Sequence, residues 1–192
     1  MTTPLLEQMF TFGRTHSYWQ DRPVDPALLH QAWDMAVLGP SSANCQPMRV
    51  AFVVSPAAKE KLRPALAPGN VDKTMAAPVT AIIAQDMKFY DKLPELYPQT
   101  DARAWFAGND GLIAATAFRN SSLQAGYFIL ALRALGLDCG PMSGFDAGTV
   151  DGTFFADTHW QANFLVNIGY GDATKLHPRN PRLSFAQGCA IL

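Results

Sequence analysis

The sequence predicts a layered domain of helices and strands, either α+β or α/β. Two observations carry that prediction. Four short apolar runs, at residues 48–54, 77–85, 137–140 and 161–169, have the length and β-branched content of strands, and segments of helical character separate them. Repeats, low-complexity tracts and linkers are absent from the 192 residues, so the expectation is one domain over 1–192.

The elements follow in order. Leu5, Leu6, Met9 and Phe10 give a first helix an apolar face, and it ends near Gly13. Asp25 is an N-cap with Pro26 at the first helical position, and the stripe Leu28, Leu29, Ala32, Trp33 and Ala36 continues to a stop at Gly39-Pro40. "PSSANCQP" (40–47) is therefore a loop, stiffened by prolines and crowded with hydrogen-bonding groups. After the strand "MRVAFVV", Ser55-Pro56 starts a helix that breaks at Pro64. "APVTAIIAQ" is a buried strand, and 86–109, rich in aromatics and turn residues, is an excursion or a lid.

The longest helix runs from Asp110 to Gly136 and is apolar on nearly every side, which predicts a central, buried position. Arg119, Asn120, Ser121, Ser122 and Gln124 interrupt it too often for a membrane span. The small polar residues of "RNSS" suit either close helix packing or a ligand contact. A short strand then enters the Gly-rich turn of "LDCGPMSGFD", "ANFLVNIGYGD" holds the last strand, and "ATKLHPRNPRLSF" is an irregular basic tail.

Composition excludes several classes. A net charge of -1 and only 16% charged residues leave no basic stripe for nucleic acid. The start lacks a basic n-region and an apolar h-region, and no apolar run is long enough to span a membrane, so the expected location is the cytoplasm. Cys45, Cys139 and Cys189 show no CxxC spacing, and His16, His30, His159 and His177 are scattered, so no metal is expected. Cys45, in the polar loop, is either a nucleophile or a small semi-buried side chain. GxSxG, GxGxxG and Walker patterns are missing. What remains is a set of separated polar or Gly-rich segments and two basic ones, Arg14 near the start and Lys175, Arg179 and Arg182 in the tail. That distribution suits a flat polar cofactor with a phosphate, held by Arg from both chain ends; taken singly, Arg14, Lys175 and Arg179 each read better as solvated surface charges, and only their joint appearance beside turns favours the phosphate.

"RTHSYW", "GPSSANCQP", "GNVDKTMAAPV", "LGLDCGPMSGFD" and "NIGYGD", followed by a basic tail, resemble the flavin-dependent nitroreductase family over essentially the whole chain. Within it, "ARAWF", "TAFRNSSLQA", "GPMSGFD" and "PRLSF" are most similar to the malonic semialdehyde reductases of pyrimidine degradation. The resemblance implies an α+β fold with a mostly antiparallel central sheet flanked by helices, and a homodimer whose chain ends wrap the partner and whose FMN lies at the subunit interface. NADH or NADPH is the implied hydride donor to flavin N5, and a small molecule the acceptor.

By matching position, the resemblance places Arg14, Thr15 and His16 at the phosphate and pyrimidine edge, and Pro40, Ser41, Ser42 and Asn44 against the flavin of the neighbouring subunit. Asn70 and Lys73 match residues on the pyrimidine side of the ring, and Pro141, Met142, Ser143 and Gly144 the turn covering N5 and O4. Arg182 and Arg179 match the phosphate ligands of the tail. Lys73 is the implied catalytic residue, its charge answering the negative charge that builds at N1–C2=O2. His16 stands where many relatives have Ser, and Met48 where many have an aromatic. Arg103 or Arg119 is the cation a small anionic aldehyde would need. A non-catalytic flavin-binding module is the alternative from another class.

Overall fold

The structure, a computed structural model, describes residues 4–192. Four strands, β1 (Met48–Val53), β2 (Val79–Asp86), β3 (Asp138–Met142) and β4 (Trp160–Gly169), form one sheet in the order β1-β2-β4-β3, every neighbouring pair antiparallel. The helices are α1 (Pro4–Leu6, continued by a π-helical turn Glu7–Thr11), α2 (Pro26–Ala36), α3 (Pro56–Leu62), α4 (Val71–Ala76), α5 (Leu93–Leu96), α6 (Asp110–Ala134), α7 (Ala147–Phe154) and α8 (Phe185–Gly188). This is an α+β arrangement.

The run "VTAIIA" is continuous rather than alternating because β2 is covered on both faces. Val79, Ala81 and Ile83 pack with Val166 and Ile168 against α2 and α6, while Ile82 and Ala84 pack with Leu165 against Leu62 of α3 and Val150 of α7. A register shift between Ile83 and Ala84 bulges β4 opposite them, leaving Asn163 outside the pairing. Its amide donates to Ser122 Oγ of α6 at 2.9 Å.

Expected start signals operate where they were expected. Asp25 accepts from Ala27 N and Ser55 from Ala58 N, and α3 tightens into a 3-10 turn at Arg63–Ala65, where Pro64 ends the helix. Pro141, a residue that cannot donate to a ladder, falls on the edge strand β3.

Leu5, Leu6 and Phe10 of the first helix are exposed. Two expectations are corrected. Helix α6 is not buried all round. One face carries Ala117, Ala125, Phe128 and Leu132 into the core, and the other exposes Leu112, Phe118 and Leu123 at 40%, 57% and 43%. The segment 86–109 is no open lid. Phe89, Leu93, Ala102 and Phe106 build a satellite core with Ile113 and Ala117 of α6 and with Cys45, and Phe89 meets Phe106 edge-on at 5.0 Å. Among the described residues no helix is long and apolar enough to cross a membrane.

Candidate functional site

The two ends of the chain meet beside β3. Thr15 bridges to Cys139 in parallel, His16 N donates to Cys139 O at 3.0 Å, and Trp19 bridges to Gly171. This lays the Arg14–Tyr18 segment along the sheet edge and brings it against the tail. A cavity of about 450 Å³ opens between them, lined by Arg14, Thr15, His16, Lys175, Arg179 and Arg182 among others, and by Arg133 from the last turn of α6.

Backbone carbonyls hold the guanidinium groups in place. Arg14 donates to His177 O at 2.6 Å, Arg179 to Thr11 O at 2.5 Å, and Arg182 to Asn180 O at 2.9 Å. Arg133 Nη1 donates to Met9 O at 3.1 Å, while its buried Nε has no partner among the described residues. None of these four arginines, nor Lys175, is ion-paired with a carboxylate among the described residues. The one acid lining the cavity, Asp172, accepts from Thr174 Oγ1 at 2.6 Å and from Thr174 N, and those bonds hold its carboxyl below the usual range. Like charges gathered in a partly enclosed space repel, and an anion there relieves the repulsion. His16 also lines the cavity, but its ring is only 5% exposed, stands 3.4 Å from Asp138 Oδ1 and packs where a Cβ on Gly171 would fall.

Further along β3 is a second cluster. Gly144 O accepts from Asn70 Nδ2 at 2.7 Å and from Ala67 N at 3.0 Å, and a Cβ at Gly144 would lie 2.5 Å from Asn70 Nδ2. Glycine is needed for that approach. Pro141 and Met142 are the last residues of β3, so only Ser143 and Gly144 belong to the turn proper. Met142 Sδ accepts from Thr74 Oγ1 at 3.5 Å, which ties the strand end to α4. On α4, Lys73 is half-buried; its carbonyl accepts from Trp19 Nε1 at 3.0 Å and Asn167 Nδ2 at 3.3 Å, and its ammonium has no hydrogen bond among the described residues.

The loop Pro40–Asn44 does not line the basic cavity. Polar residues of α6 hold it: Asn120 Oδ1 accepts from Ser42 N at 2.8 Å, Gln124 Oε1 from Met48 N at 3.0 Å, and Tyr127 donates to Pro40 O at 3.3 Å. Asn44 Nδ2 reaches Leu96 O at 2.8 Å, and Ser41 Oγ accepts from Gln46 N. Ser42 and Asn44 remain exposed. The "RNSS" residues thus serve mainly as fasteners, Asn120 for the loop and Ser121 for the sheet through Ala84 O. Ala43, Asn44 and Gln46 all have positive φ, so the loop is strained at three non-glycine positions. Ala43→Gly is expected to raise stability by about 0.5–1 kcal/mol, the left-handed penalty of alanine exceeding the extra chain entropy of glycine. Urea denaturation of both proteins checks this; equal midpoints count against it. Cys45 is buried in the satellite core, and burial pushes its thiol up to about 11, which excludes the nucleophile reading at neutral pH.

Residues 14–170 match the Nitroreductase family. The chain belongs to the nitroreductase family. Among its relatives, a candidate NADH dehydrogenase/NAD(P)H nitroreductase of Burkholderia lata is 61% identical over 94% of this chain and 92% of its own length. A protein of Ralstonia nicotianae with the same designation is 54% identical over 98% and 96%. Among solved structures, a candidate nitroreductase of Exiguobacterium sibiricum in complex with FMN superposes with a TM-score of 0.88 at 21% identity, covering 100% of this chain and 99% of the other.

The match to the nitroreductase family stops at Tyr170, ahead of the tail cations Lys175, Arg179 and Arg182, so their place in the cavity comes from the fold. Sequence reasoning missed Arg133. Its one signal was a cation in the last turn of an apolar helix, a place where such residues ordinarily answer the helix dipole.

Proposed function

We propose that this chain is an FMN-dependent NAD(P)H oxidoreductase that works as a homodimer on a small-molecule acceptor. The observation that carries the reading is the cluster of Arg14, Arg133, Lys175, Arg179 and Arg182 in one cavity, none of them ion-paired with a carboxylate among the described residues. A phosphate fits it: the guanidinium groups are already oriented by backbone carbonyls, and the buried Arg133 Nε lacks an acceptor among the described residues. Thr15 and His16 sit beside them at the same cavity.

From this cavity β3 leads to Gly144, Asn70 and Lys73, where the ring would lie. Bound flavin supplies the hydride chemistry. Lys73 would bring a cation with no hydrogen-bond acceptor among the described residues to the pyrimidine side, and the close Asn70–Gly144 approach would leave the backbone of Ser143 and Gly144 to face N5 and O4. The homodimer reading rests on what a single chain leaves uncovered: the α6 stripe of Leu112, Phe118 and Leu123, and apolar side chains at both ends, Phe10, Phe12, Leu183 and Phe185. Pro40, Ser41, Ser42 and Asn44, held apart from their own cavity, would serve the partner's flavin.

For the acceptor we propose malonic semialdehyde, reduced to 3-hydroxypropionate. Arg103 pairs with Asp91 at 2.9 Å, whereas Arg119, exposed on α6, has no ion pair among the described residues and is the freer cation for a carboxylate. The test is the visible spectrum of the purified protein, followed by anaerobic NADH or NADPH. A flavin band that bleaches and is restored by malonic semialdehyde supports the whole reading; restoration by nitroaromatics or quinones alone supports only the wider one. A yellow protein that neither donor bleaches favours the binding module, and one that takes up no FMN overturns the reading.

A further inference from the structure

Lys59 is the charged residue whose place the family reading leaves unexplained. It sits on α3 between half-buried Ala58 and exposed Glu60, yet it is 4% exposed. Its Nζ donates to Thr74 O and to Thr80 Oγ1, both at 2.7 Å, and no carboxylate among the described residues is within ion-pair distance. From there a chain of hydrogen bonds crosses the sheet. Thr80 donates to Asn167 Oδ1 at 2.7 Å, Asn167 Nδ2 donates to Thr74 Oγ1 at 3.2 Å and Lys73 O at 3.3 Å, and Thr74 Oγ1 donates to Met142 Sδ at 3.5 Å.

A buried ammonium without a counter-charge costs free energy, and an apolar side chain of similar length would fill the same space without that cost. The network shows what the charge does instead. It binds a carbonyl in the last turn of α4, Thr74 O, where a cation also answers the helix dipole. Through Thr80 and Asn167 it holds Lys73 O, and through Thr74 it reaches the end of β3. Both ends of that network belong to the segments that carry Lys73 and Gly144.

We propose that Lys59 is a positioning residue that sets Lys73 and, through Met142 at the end of β3, the Ser143–Gly144 turn against the flavin, and that its buried charge favours the negative charge gained on reduction. This rests on the flavin reading above. The charged groups on the elements around it are Glu60 and Lys61 on α3, Arg63 in the 3-10 turn after it, Asp72 and Lys73 on α4, Asp86 on β2, Asp146 and Asp151 at α7. None pairs with it, and burial alone lowers its pKa to about 8. Lys59 is therefore charged at neutral pH and loses its charge, and its effect, as pH rises through about 8.

The experiment measures the flavin midpoint potential of FMN-loaded wild type and Lys59→Met from pH 6.5 to 9.5, with FMN affinity and thermal stability in parallel. The wild type is expected to show a break near pH 8, where its potential falls below the trend set at lower pH. Lys59→Met is expected to retain FMN, to have a more negative potential at pH 7, and to show no break. If it loads FMN but keeps the wild-type potential and break, the inference is overturned and the flavin reading stands. Wild type that takes up no FMN overturns both. If Lys59→Met does not fold, Thr80→Val decides: losing one acceptor of the ammonium should move the break to lower pH, and an unmoved break overturns the inference.

Discussion

Lys73→Met is expected to slow reduction of bound FMN by NAD(P)H about 100- to 1000-fold, the usual cost of removing one preorganised charge or donor from a reacting centre. FMN affinity should fall far less, because the cations of the 450 Å³ cavity lie apart from Lys73 and are untouched by the change. The geometry supports a role beyond surface charge. Lys73 has its backbone held by Trp19 and Asn167, and its ammonium is unengaged among the described residues. Lys59, by contrast, spends its protons on two local acceptors, Thr74 O and Thr80 Oγ1. Anaerobic stopped-flow at the flavin band measures the rate, and fluorescence titration the affinity. A reduction rate equal to wild type would remove Lys73 from the catalytic machinery.

Gly140→Ala is expected to destabilise the protein by about 1–3 kcal/mol and to weaken FMN retention at the same time. The added Cβ would lie 2.4 Å from His16 O, a backbone atom that cannot rotate away, with Trp19 Cζ2 at 3.5 Å behind it. Relief requires the Arg14–Ser17 segment to lift off β3. That breaks the His16 N–Cys139 O bond and withdraws Arg14 from the cavity. Gly152→Ala in α7 is the control, since nothing lies within 4 Å of its Cβ and alanine favours the helix by about 1 kcal/mol. Thermal melts should move the two variants in opposite directions, and FMN titration should show weaker binding for Gly140→Ala alone. Equal melting temperatures for Gly140→Ala and wild type would mean the segment has room to shift.

Legibility differed by the range of the interaction. Strand β2 and helix α2 were readable because a doubly covered strand is continuously apolar and a capped helix announces both ends, as "VTAIIA" and Asp25-Pro26 do. Helix α7 was not read, because "AGTVDGTF" has two glycines, two threonines and weak helical propensity. Its N-cap, Asp146 accepting from Thr149 N at 2.6 Å, was the available signal. The 86–109 segment misled because its aromatics resemble a mobile surface until Phe89, Phe106 and Cys45 are seen to share a core.

By itself the sequence determined the four strands, helices α1, α2, α3 and α6, the absence of a nucleic-acid stripe, and the strings that mark the family, since each depends on residues close along the chain. Only the tertiary structure decided which cations share a cavity. Arg14, Arg133 and Arg179 are far apart in sequence, and their convergence depends on Thr15 pairing with Cys139 and on the tail folding back over the first turn. It also decided that Lys59 is buried while Lys73 stays available. Both are lysines on short helices, and their difference is set by Thr80 and Asn167 on strands that no local pattern connects to them.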